Sequence, residues 1–130
     1  MGLISRQYTG SDNIQGLVVC DGATAGTCEV CTDNTTEPLG IVVDVGPNGL
    51  ANIAAKGEKA FAVVGASIAA DAASDVCVNS DGQIISCNPA TAESSQWVHG
   101  RLVRYSGTET YAAGDLCEVI FDPYYLIVPA

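Results

Sequence analysis

Short apolar runs broken by turn-forming residues recur along the whole chain, and this cadence constrains the fold more than any other feature. The runs are Leu17–Cys20, Thr27–Thr32, Leu39–Val45, Lys59–Gly65, Val76–Asn79, Gln83–Ser86, Trp97–Tyr105, Leu116–Phe121 and Tyr124–Val128. Between them lie Asp21-Gly22, Pro47-Asn48-Gly49, Asp81-Gly82, Ser106-Gly107 and Asp122-Pro123, residues that favour tight turns. Runs of four to nine residues between close turns predict strands, and nine of them predict an all-β sandwich or barrel. Helix is confined to a turn or two, at Ala51–Ala55 and in the Ala-rich stretch Ala66–Ser74, because so short a segment is marginal as a helix.

The cadence also repeats. Asp21-Gly22 lies 60 residues before Asp81-Gly82, and Gly40-Ile41-Val42 lies 60 residues before Gly100-Arg101-Leu102. A third match, Ala55-Lys56-Gly57-Glu58 with Ala112-Ala113-Gly114-Asp115, is offset by 57. Three matches in order predict an internally duplicated unit, about residues 17–65 and 76–121, packed as one domain over 14–130. Residues 1–13 are polar and aperiodic, read either as a frayed terminus or as an extended N-terminal arm that orders on a neighbouring subunit. An extended arm is expected.

Charge narrows the function classes. Fifteen acids against five bases give a net charge of -10, and the bases Arg6, Lys56, Lys59, Arg101 and Arg104 are scattered. Phosphate binding draws its affinity from clustered bases, so direct nucleic-acid binding is not expected. No apolar run reaches the roughly 18 residues that span a bilayer, and the first residues show no secretory leader, so a product of the cytoplasm without membrane contact is expected.

Catalytic and metal-binding patterns are weak. His99 is the single histidine, inside a strand pattern, and no Gly-x-Ser-x-Gly elbow accompanies it. The chain is therefore expected not to be an enzyme, with no catalytic residues, cofactor or metal. Asn79-Ser80-Asp81-Gly82 resembles part of a calcium loop but lacks an acid at its first and twelfth positions, Cys77 and Asn88. The six cysteines admit buried thiols, a zinc site or disulfides. At the 60-residue offset no cysteine is matched by a cysteine, which favours free thiols used as small apolar residues.

The repeated elements Asp21-Gly22, Gly40-Ile41-Val42-Val43, Gly57-Glu58, Asp81-Gly82, Gly100-Arg101-Leu102 and Ala113-Gly114-Asp115-Leu116 resemble those of the small head decoration, or capsid cement, proteins of tailed bacteriophages. The resemblance covers about Leu17 to Phe121. The cysteines, and Ala70 where a glycine would precede Asp71, depart from it. It implies a homotrimer seated on the major capsid protein, on the capsid exterior of the virion, stabilising the DNA-filled head after synthesis in the host cytoplasm. Leu3, Ile4, Arg6 and Tyr8 of the arm, with Arg101, Arg104, Tyr124 and Tyr125, are the expected capsid or inter-subunit contacts. The alternative is a secreted or cell-surface β-module for adhesion or glycan binding, which oxidised cysteines would favour.

Overall fold

Val18, Val19 and Cys20 are all buried although successive strand residues point to opposite faces, so this strand must be covered on both sides. The computed structural model, which describes residues 3–129, shows how. Ten strands form two sheets: β1 (Leu3–Tyr8), β2 (Val18–Asp21), β3 (Thr27–Val30), β4 (Gly40–Val45) and β5 (Leu50–Ala54), then β6 (Lys59–Val63), β7 (Asp75–Val78), β8 (Ile84–Ser86), β9 (Gln96–Leu102) and β10 (Leu116–Leu126). Val19, Val42, Ala51 and Ile53 fill the interior of the first sheet with Ile14 and Cys28. Val18, Cys20, Ile41 and Ala54 point the other way, into a second core shared with Val76, Ile84, Val119 and Phe121. The two sheets thus share a seam through β2, β4 and β5.

The first sheet closes as a barrel in the order β1-β3-β2-β4-β5, and the second runs β6-β10-β9-β7-β8. Read from its other edge, the second sheet repeats the first, with β6 to β10 standing in the places of β1 to β5. Orientations repeat too: β1 is antiparallel to β5 and parallel to β3, while β6 is antiparallel to β10 and the residue that follows it, Val64, makes an isolated parallel bridge to Ile84 of β8. Gly40 and Gly100 occupy the same place, each beside the central hairpin strand, opposite Val19 and Val76. A Cβ on Gly40 would run into the Ala54 carbonyl, and one on Gly100 into the Ile120 carbonyl. Both backbones approach their neighbour too closely for any side chain.

Several sequence expectations change. Residues 3–8 of the expected arm form β1, paired with β5 from Leu3–Ala54 to Gln7–Leu50, while Met1 and Gly2 lie outside the described residues. Ile4 and Tyr8 pack on the barrel core, which supplies the contacts an isolated arm would lack. The strand order also divides the chain between β5 and β6, earlier than the 17–65 and 76–121 units. In that frame the Gly57 and Gly114 turns are not equivalent, because they precede β6 and β10, which are neighbours within one sheet. Ala51–Ala54 is strand rather than helix, since Ala51 and Ala54 fit where β4 and β1 approach from both sides. Ala66–Ser74 carries no helix and is held by the Ile68–Tyr111 bridge, while the single helical turn among the described residues is Pro89–Thr91. The runs around Asp122-Pro123 join as one strand, with a bulge between Phe121 and Tyr124 that absorbs the proline.

Candidate functional site

In a half-buried strand the large apolar side chains ordinarily take the core-facing positions. In β6 the order is inverted, because Ala60 and Ala62 face the core and Phe61 faces out, 61% exposed. Leu116 at the start of β10 is 60% exposed and lies on the neighbouring strand. With Val43 from the barrel and Asn13, Gln15 and Lys59 at its rim, they line a groove of about 500 Å³ along the seam of the two sheets. The loop at its floor is pinned to both sheets, Gly16 N donating to Val42 O and Val63 N to Gly16 O. The groove's walls are mostly apolar, with Lys59 the only charged residue on its lining.

The residues expected to make contacts fall into two groups. Leu3, Ile4, Arg6 and Tyr8 lie on β1, where Leu3 is 54% exposed and Arg6 Nε sits 3.7 Å from Asp21. Arg101, Tyr124 and Tyr125 lie on β9 and β10, with the Tyr125 ring edge-on to Trp97 at 5.5 Å. Arg104 is committed internally: its guanidinium donates to Glu109 O, Ala69 O, Ala72 O and Ser74 Oγ. Glu109 in turn accepts from the backbone N–H groups of Ser106 and Tyr105, and these, with its own backbone N–H, hold its carboxyl down at about 2. The structure therefore spreads the expected set over both sheets and uses Arg104 to clamp two loops. The Phe61–Leu116 groove was missed, although the Ala-Phe-Ala alternation of β6 carried the signal.

His99 stands in β9 at 1% exposure, and among the described residues neither ring nitrogen has a hydrogen-bond partner. It lacks the hydrogen-bonded orienting group that nucleophile–base chemistry uses. Burial alone holds its pKa at about 4, against an ordinary value near 6.5. The unfolded chain takes up this proton near pH 6.5 while the native state refuses it until about pH 4. Stability therefore falls as the pH drops through that interval, by about 2 kcal/mol between pH 7.5 and 5. Urea unfolding at the two pH values measures this, and His99→Leu should flatten the slope. An unchanged slope in the variant would assign the effect to other groups.

Cysteines are only partly free: Cys20 and Cys31 form a disulfide, while Cys28, Cys77, Cys87 and Cys117 remain thiols. The free-thiol expectation is corrected for that pair, because the β2–β3 hairpin places the two Cα atoms 5.4 Å apart. Asn79 Oδ1 accepts from Asp81 N and Gln83 N, so the calcium-like segment is a hairpin closed by its own side chain. Among the described residues no three His, Cys, Asp or Glu side chains are grouped to hold a metal ion. Among them, too, no helix is long and apolar enough to cross a membrane. Compared with known proteins, the chain matches no protein-family model and none of the curated proteins.

Proposed function

We propose that this chain is a structural decoration protein of a tailed-phage head, binding the outer surface of the major capsid protein and stabilising the filled shell. The observation that carries the reading is the outward-facing Phe61–Leu116 groove on an otherwise acidic β-body. An apolar groove rimmed by polar residues is a surface that a partner protein can cover. Here it is built on paired strands, so binding costs little ordering entropy. The resemblance in the Asp-Gly and Gly-apolar units supports the same class, and with it a homotrimer at the shell's three-fold positions. Three chains of -10 each bring -30 together, so trimers form on the shell or at raised salt rather than free at low salt.

Undecorated heads assembled from the major capsid protein of the same genome supply the test. Co-sedimentation should retain the wild-type protein and lose the double variant Phe61→Ser/Leu116→Ser by at least roughly tenfold in affinity, the scale of losing central apolar anchors. Thermal unfolding of the isolated variant should stay close to wild type, since both side chains are mostly exposed. Equal binding by the variant would remove the groove from the interface.

The Cys20–Cys31 bond favours a second reading, a secreted or cell-surface module, because disulfides persist in oxidising surroundings. A virion exterior is equally such a place. Failure to bind heads, together with saturable binding to immobilised glycans, would select the second reading.

A further inference from the structure

The disulfide of the first sheet has a counterpart in the second. In the β2–β3 hairpin Cys20 opposes Glu29, and Cys31 lies two residues further on, opposite Val18, with its N–H donating to Val18 O. In the β7–β8 hairpin Cys77 opposes Ile85, and Cys87 lies two residues further on, opposite Asp75, with its N–H donating to Asp75 O. The two cysteine pairs therefore occupy the same diagonal of equivalent hairpins. Sheets twist with one hand, so the same diagonal is the one shortened in both hairpins. In the first hairpin that diagonal is a bond; in the second both cysteines are free thiols.

We propose that Cys77 and Cys87 are a second disulfide site, closed by thiol–disulfide exchange with a low-molecular-weight disulfide such as oxidised glutathione. Exposure assigns the roles, since Cys87 is half-buried and Cys77 is buried. The neighbouring thiol pulls the Cys87 pKa down and pushes that of Cys77 up, so Cys87 ionises first. The Cys87 thiolate attacks one sulfur of the small disulfide and expels one small thiolate. Cys77 then gives up its proton and attacks the Cys87 sulfur, expelling the second. Two protein S–H groups and one R–S–S–R become one protein S–S bond and two R–SH, so atoms and electrons balance.

The site is independent of what the protein binds. Full-length protein is equilibrated with oxidised glutathione, acid-quenched, unfolded and alkylated, then weighed intact. Alkylated thiols should fall from four to two, leaving Cys28 and Cys117. Cleavage on the amino side of aspartate cuts at Asp81, between the two cysteines, so their peptides should remain joined until reduction. Closing this short loop should raise Tm by roughly 5–10 °C over the untreated protein. In Cys87→Ser, three thiols should persist and the rise in Tm should vanish. Four thiols in the treated wild type, a lasting glutathione adduct on Cys87, or a bond from either cysteine to Cys28 or Cys117 would overturn the proposal.

Discussion

Deleting residues 3–12 is expected to unfold the protein rather than trim it. β1 closes the barrel by pairing with β5 along its length and with β3 at Gln7 and Tyr8. Its loss opens two strand edges at once and uncovers the core on which Ile4 and Tyr8 pack. Full burial of such a side chain contributes about 1.5–3 kcal/mol, so the partly buried pair and the ladder bonds together remove a large share of the about 5–15 kcal/mol that holds a domain. The truncated chain should lose its cooperative melt by circular dichroism at 25 °C. A melt within a few degrees of wild type would mean that β1 is a dispensable arm.

A single methyl group at Gly40 or Gly100 is expected to cost about 3 kcal/mol or more. At Gly100 the new Cβ would meet the Ile120 carbonyl oxygen and lie 3.2 Å from Asp122 N; at Gly40 it would meet the Ala54 carbonyl, whose carbon is 3.0 Å away. Backbone atoms of a paired neighbour strand cannot swing aside as a side-chain tip does, so a strand must shift. Gly46→Ala is the control, because a Cβ there finds only Leu50 O, at 3.7 Å. That variant should stay within about 0.5 kcal/mol of wild type in urea unfolding. If Gly40→Ala and Gly100→Ala behave like Gly46→Ala, the close approaches are not what fixes the two sheets.

Much of the β architecture was legible because both periodicity and turn chemistry are local. Eight of the ten strands, β2–β4 and β6–β10, overlap runs bounded by Gly, Asp, Asn or Pro, and β10 was read as two because Asp122-Pro123 is a turn signal that a bulge neutralises. β1 and β5 were hidden for a different reason. Leu3–Tyr8 interleaves Ser5, Arg6 and Gln7 with its apolar residues, and Leu50–Ala54 is rich in alanine; each becomes a strand only because its partner strand exists.

The candidate site was less legible. Phe61 reads as core in sequence, and only the closure of the sheet over Ala60 and Ala62 shows that it points out. The paired cysteines were masked by the fixed 60-residue offset. The hairpin strands are related by 57 residues at Cys20 and Cys77, and by 56 at Cys31 and Cys87, because the second loop is one residue shorter.

The proposal that this chain decorates a phage head is tested most directly by weighing the particle's own composition. Quantitative mass spectrometry of purified virions carrying this gene should find the chain in a copy number comparable to that of the major capsid protein. Mild salt or chelator washes that leave the shell intact should not change that ratio in particles protected by apolar contacts. Virions that lack the chain, or carry only a few copies of it, would contradict the account.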